Sequence, residues 1–406
     1  DGTPPNNWPS VFGGSAWQWD GRREQYYLHN FLTSQPDLNF HEPEVQEALF
    51  DVARFWLKRG VDGFRLDTIN FYIADKYLRD NPPLPRELRN DSIAPSVNPY
   101  NHQLHLFSKN QPENLEFLRK FRAILDPYNA AAVGEVGDAQ RGLEIMAEYT
   151  SGGDKVQMCY PFEMLQPARL TARSLAATFA RLEAVSPDFW PCWAYSNHDV
   201  VRHVTRWNLS PEAARAYATL LVCLRGSVCL YQGEELGLPE AEIAYEDLQD
   251  PYGKEFWPEF KGRDGCRTPM VWVRDNATGG FTTGKPWLPV PAEHLARAAS
   301  VQDGDAGSVL GHYRRALAFR RANPVLGKGA QTDMAADGDV IRFRRRLDGR
   351  EMFIAVNLSD AAAGIAAPDG NLETTGAGLG QAAPSGNGRI QLGPWAVALL
   401  ARIVKV

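Results

Sequence analysis

Apolar positions along this chain fall into two rhythms. Residues 43 to 59 (PEVQEALFDVARFWLKR) repeat at three and four, which predicts a helix with Val45, Leu49, Val52 and Trp56 on one face. Pro43 suits its first turn and Gly60 its stop. Short apolar runs at 61–66, 131–135, 156–160, 191–196 and 227–231 predict buried strands, and helical periods at 112–125, 171–184, 211–225 and 308–322 alternate with them. Such alternation means a parallel sheet covered by helices. Five strands fit an open doubly wound sheet as well as a barrel. Residues 82–112 are rich in Pro and Asn and lack a helical period, so a long loop is expected there.

After Pro324 the rhythm changes to period two. VIRFRRRLDGREMFIAVNLSD alternates around Asp348-Gly349, a hairpin signal, and Gly/Ala-rich turns lead on to RIQLGPWAVALLARIVKV. The basic run Arg342, Arg344, Arg345, Arg346 reads at strand spacing as a solvated face rather than a nucleic-acid site. GAGLG at 376–380 reads as a loop, not a phosphate cradle.

Three of the strand runs end on an acid: Asp67 in GVDGFRLDTIN, Glu135 in AAAVGEV and Asp199 in AYSNHD. Carboxyl ends of strands are where α/β folds place their chemistry. The acids are 68 and 64 residues apart, against about 31 residues for one βα unit of an eightfold barrel. They therefore belong to separate strands converging on one rim.

Composition sets modest bounds. The 406 residues, 44% hydrophobic and 23% charged, can bury a large core in two or three domains. A net charge of -6 argues against a phosphate-backbone partner, so nucleic acid is not expected. No apolar stretch approaches the ~20 residues of a membrane span. The five Cys (159, 192, 223, 229, 266) form no C-x-x-C pair and read as buried reduced thiols, which suits the cytoplasm and leaves the periplasm open.

GFRLDTIN, GEV and SNHD, in that order, resemble three signature segments of the α-amylase superfamily of glycoside hydrolases, and QPDLN at 35–39 resembles a fourth. NNWPSVFGGSAWQWD (6–20) and RTPM (267–270) are similar to the exo-acting α-glucosidase branch, with its oligo-1,6-glucosidases and maltases. The matches run to about residue 330. The family's first signature, an Asp and an Asn-His pair after the third barrel strand, is absent. The resemblance thus implies an α/β fold, a (β/α)8 TIM barrel whose first three strands are absent from this chain. A small inserted domain and a C-terminal antiparallel β domain complete it. Residues 1–39 would be the remainder of the inserted domain, 40–323 the catalytic barrel, and 324–406 a β-sandwich domain. About 130 further residues are expected, on the same chain or on a companion N-terminal fragment.

The resemblance also implies roles. Asp67 would be the nucleophile of a retaining enzyme and Glu135 the acid, a pair that such enzymes hold about 5 to 5.5 Å apart. Arg65, two residues before Asp67 on the same strand face, can hold it ionised. Like-charge repulsion from two neighbouring carboxylates would keep Glu135 protonated. Asp199 would stabilise the transition state, and His198 and Arg267 would bind the innermost sugar. In relatives the counterpart of Arg267 pairs with an acid on the absent segment. Phe12 and Phe31 would line the pocket wall, and Thr68 looks like the members that prefer α-1,4 over α-1,6 linkages. The expected activity is removal of terminal α-linked glucose from short oligosaccharides, with a glucosyltransferase or isomerase acting on sucrose, maltose or trehalose as the alternative. No organic cofactor is required and no metal ligands are assigned. A structural Ca²⁺ or Mg²⁺, common in relatives, would fall in the N-terminal part.

Overall fold

In the computed structural model the described residues are 2–186, 188–370, 372–380, 382, 384–385 and 388–403; Val404–Val406, at the end of the last expected strand, lie outside them. The chain packs as two compact units. The first comprises Asp1–Gln166, Val185–Cys192 and Pro251–Gly262, and the second Pro167–Ala184, Trp193–Asp250 and Arg263–Val406.

The first unit opens with an antiparallel hairpin, β1 (Trp17–Asp20) and β2 (Gln25–Leu28). The helix Pro43–Leu57 then leads into a parallel sheet of β3 (Gly63–Leu66), β4 (Ala131–Val136) and β5 (Met158–Pro161), in that order. Backbones approach closely here, and two glycines permit it. A Cβ on Gly63 would lie 2.1 Å from the Ala131 carbonyl oxygen, and one on Gly134 would lie 2.3 Å from Ile69 Cδ1 and 3.0 Å from Cys159 Sγ. Gly134 immediately precedes Glu135, so the glycine that closes the packing also fixes where that acid emerges.

The helix Pro43–Leu57 forms where its period and Pro43 predict, but a different face is covered. Phe50, Ala53 and Leu57 are buried, whereas Val52 and Trp56 are 55% and 47% exposed. The face is chosen by a partner: Phe50 stacks on Phe117, with ring centroids 5.2 Å apart, from the helix Asn114–Leu125. The helix Gly142–Thr150, between β4 and β5, was not predicted. Seven of its nine residues are buried, so its polar side is only Glu144 and Glu148, too short a stripe for periodicity to reveal. Residues 82–112 form a loop with two short 3₁₀ turns, Arg86–Leu88 and Pro99–His102.

In the second unit the helices Pro211–Cys223 and Val309–Ala322 pack together through Ala218, Val309 and Tyr313 and a 2.8 Å hydrogen bond between Thr219 Oγ1 and His312 Nε2. Ser210 and Ser308 cap them by accepting from the Ala213 and Gly311 amides. The C-terminal part is antiparallel. Five strands run in the order Glu373–Thr374, Val397–Ile403, Arg350–Asn357, Val340–Leu347, Ala330–Asp337, and three more in the order Ala363–Ala366, Arg389–Leu392, Pro384–Ser385. Val340, Phe353, Ala355, Ile365, Ile390, Leu392, Ala398 and Leu400 form a core contributed by both sheets. The hairpin turns at Asp348 and Gly349, both left-handed (φ 46° and 70°), as the Asp-Gly pair predicts.

Two expectations change. The basic run is a solvated face only in part: Arg342 and Arg346 stay partly exposed, but Arg345 is fully buried, donating to the carbonyls of Cys223 (2.7 Å) and Gly329 (2.8 Å). Arg344 and Arg346, on the opposite face, bind the buried Glu351. The run alternates between a core that offers orphan carbonyls and a sheet surface that offers a carboxylate. Four of the five cysteines are buried, but Cys229 is exposed.

Candidate active site

Asp67 and Glu135 stand at the carboxyl ends of adjacent strands. The β3–β4 register pairs Leu66 with Gly134, so Asp67 is the first residue past the ladder and lies beside Glu135. Arg65 joins them. Its Nη1 donates to Asp67 Oδ1, while Nη2 donates to Glu135 Oε2 at 2.6 Å and to the Tyr160 hydroxyl at 2.5 Å. Burial disfavours the Arg65 cation, but Glu135, Tyr160 and Asp67 outweigh it and hold the guanidinium above its ordinary pKa. Tyr160, from β5, was not singled out from sequence. Its phenol is pushed up first by burial and then by Glu135.

The two carboxylates differ in environment. The Asp67 side chain is 71% exposed and that of Glu135 only 3%. Thr68 follows Asp67 in the left-handed region (φ 37°, ψ 51°), a costly conformation for a β-branched residue. It turns the Thr68 amide toward Glu135 Oε2 at 3.3 Å. Glu135 thus meets a guanidinium and a backbone donor. Both act on Glu135 in addition to the neighbouring carboxylates expected from sequence.

Phe12 and Phe31 sit in the same unit, half-buried in an aromatic cluster. They meet edge to face at 5.3 Å; Phe12 stacks on Tyr252 at 4.5 Å, and Phe31 contacts Phe71 at 5.6 Å. Both take part in packing and keep some exposed surface.

The second unit carries the other predicted residues as one cluster. Asp199 Oδ1 accepts from Arg263 Nη1 at 2.9 Å and Arg267 Nη2 at 3.0 Å, and Oδ2 lies 3.2 Å from His198 Nε2. Arg267 Nε also donates to the His198 carbonyl at 2.7 Å. In this chain Arg267 thus pairs with Asp199. Arg263 was missed from sequence, although it stands four residues before Arg267 in the same segment. It grips Asp250 with two parallel bonds, Nε to Oδ2 at 2.9 Å and Nη2 to Oδ1 at 2.8 Å. Burial works against its charge, yet Asp250 and Asp199 raise its pKa.

Among the described residues no group of three or more His, Cys, Asp or Glu side chains is placed to hold a metal ion. None of the helices among them is long and apolar enough to cross a membrane.

Acids at strand ends, a guanidinium spanning two of them, and a C-terminal antiparallel sheet match one family. The chain belongs to the α-amylase family, whose catalytic domain matches residues 1–329. It is a glycoside hydrolase, and its architecture is consistent with the family's (β/α)8 barrel followed by a C-terminal antiparallel sheet. It is 61% identical over 378 residues to the probable α-glucosidase of Rhizobium meliloti (strain 1021), covering 92% of this chain and 68% of that protein. It is 31% identical over 425 residues to the oligo-1,6-glucosidase of Heyndrickxia coagulans, covering 93% and 73%. Among solved structures, that of the α-glucosyl transfer enzyme XgtA superposes with a TM-score of 0.93 at 52% identity, over 99% of this chain and 75% of that one.

Proposed function

We propose that this chain carries the machinery of a retaining exo-α-glucosidase that removes terminal α-1,4-linked glucose, less readily α-1,6-linked glucose, from short oligosaccharides. The observation that supports it most is the Arg65 guanidinium bound to both Asp67 and Glu135. Carboxylates sharing one guanidinium suit the narrow spacing of retaining enzymes, about 5 to 5.5 Å, rather than the wider spacing that admits a water between them.

In this reading Asp67 attacks the anomeric carbon while Glu135 gives its proton to the leaving oxygen. The products are a glucosyl ester on Asp67, a free sugar, and an ionised Glu135. Negative charge has then passed from Asp67 to Glu135. Arg65 touches both, so the same fixed cation is a counterion before and after the step and needs no reorganisation. Water next gives a proton to Glu135 and attacks the ester, releasing α-glucose and restoring Asp67. The exposure difference fits this division, with the open carboxylate as nucleophile and the buried one as proton carrier.

Asp199, held by Arg263 and Arg267, would brace the sugar hydroxyls as positive charge develops on the ring, with His198 as a further donor. The half-exposed faces of Phe12 and Phe31 would line the pocket wall, and the Thr68 hydroxyl would favour α-1,4 linkages. This reaction uses no organic cofactor. Four buried thiols suit a cytoplasmic setting.

A second reading is favoured by the likeness to XgtA, an α-glucosyl transfer enzyme. There a sugar hydroxyl, rather than water, intercepts the ester. Anomeric NMR of the first product tests the mechanism shared by both: α-glucose is expected from an α-glucoside, and β-glucose would overturn it. Oligosaccharide yield at high against low maltose then separates hydrolysis from transfer.

A further inference from the structure

The β3–β4 ladder ends at Leu66 and Gly134. Beyond it something else must set the distance between the loop that follows Asp67 and the one that follows Glu135. Asn70, three residues past Asp67, does so. Its side chain is buried at 1% exposure; Oδ1 accepts from the Gly137 amide at 3.1 Å, and Nδ2 donates to the Gly137 carbonyl at 3.1 Å. Gly137 is two residues past Glu135. A primary amide offers a donor and an acceptor side by side, which is what holding both backbone groups of one residue requires.

The clamp is itself supported. Asn70 Nδ2 also donates to Asn110 Oδ1 at 2.8 Å, and the Asn110 amide donates to the Asn70 carbonyl at 2.7 Å. The Nζ of Lys109, a buried side chain, donates to the same Gly137 carbonyl at 2.9 Å. Asn114 Nδ2 holds the Ile69 carbonyl at 2.8 Å. These bonds fix the Ile69–Phe71 turn against the residues that follow β4, and Asp67 lies just before that turn.

We propose that Asn70 is a positioning residue that sets the separation of the Asp67 and Glu135 carboxylates. The inference rests on the reading of those two acids as nucleophile and proton donor. Displacing reacting groups by about 1 Å costs about 10²-fold. In the intact enzyme, Asn70→Ala should lower kcat for maltose by about 10- to 100-fold per active site, with KM changed by less than about threefold. Active sites are counted by complete covalent titration with 5-fluoro-α-glucosyl fluoride. A purely structural role would reduce the number of titratable sites and leave kcat per site unchanged. A kcat per site within about threefold of wild type overturns the inference, as does a change confined to KM.

Asp67→Asn and Glu135→Gln are measured alongside. If both keep wild-type turnover, the underlying reading fails whatever Asn70 does. If they lose it while Asn70→Ala does not, only the inference falls. Should Asn70→Ala not fold, Asn70→Ser gives the same readout, because a single short hydroxyl replaces the two amide atoms that hold the Gly137 amide and carbonyl side by side.

Discussion

Arg65 Nη2 donates to Glu135 Oε2 at 2.6 Å, tying a strand-borne guanidinium to the buried acid of the neighbouring strand. The other terminal nitrogen holds Asp67, so the planar fork of arginine matters as much as its charge. Arg65→Lys keeps the charge and loses the fork. It should lower kcat for maltose by roughly 10²-fold while the protein stays folded. Steady-state kinetics with circular dichroism check this, and a kcat within about threefold of wild type would show that charge alone suffices.

Thr68 is left-handed, and valine is β-branched as well, so Thr68→Val carries the backbone strain over and removes only the hydroxyl. The ratio of isomaltose to maltose hydrolysis, measured as kcat/KM, should rise. An unchanged ratio would assign linkage choice to the loops around the acceptor.

Arg263 and Asp250 form a two-bond ion pair in which the Asp250 side chain is completely buried. Removing one partner strands the other charge. Arg263→Met should therefore cost about 3 to 5 kcal/mol in denaturant unfolding. Adding Asp250→Asn should return part of that loss. If the double variant is no more stable than the single one, the pair is not what holds this segment.

Glu234 is buried, accepting from the Tyr313 hydroxyl at 2.8 Å and the Tyr231 amide at 3.3 Å, and burial raises its pKa from 4.5 to about 7. A group whose pKa is raised by folding contributes stability that is fully present below its unfolded value and lost as pH rises through the folded one. Relative to Glu234→Gln, which titrates nowhere, the wild type should therefore be favoured at pH 4.5. That advantage should shrink through pH 7 by up to roughly 3 kcal/mol, at about 1.4 per pKa unit. Paired unfolding titrations from pH 4.5 to 8 measure it, and a flat difference would mean that Glu234 stays ionised.

Much of this protein could be read from the chain because its signals are local. Five apolar runs became strands, two of them with Asp67 and Glu135 at the carboxyl end, because side-chain alternation and burial are written residue by residue. Arg65 and Asp67 were legible as a pair for the same reason: two residues apart on a strand means one face. The Asp-Gly hairpin turn needed only its own two residues.

What stayed hidden depends on partners distant in sequence. Glu135 and Tyr160 share the Arg65 guanidinium across 70 and 95 residues, and Asp199 meets Arg263 across 64. No local period encodes such distances. The helix Pro43–Leu57 has apolar residues enough for two stripes, and stacking on Phe117 buried Phe50 rather than Trp56. Arg345 looks solvated in sequence and is buried, because carbonyls at Cys223 and Gly329 await its donors. The sequence by itself determined which residues could ionise, alternate or turn. Which of them met was decided by tertiary packing, since the energy of a charge or a ring depends on what is brought against it.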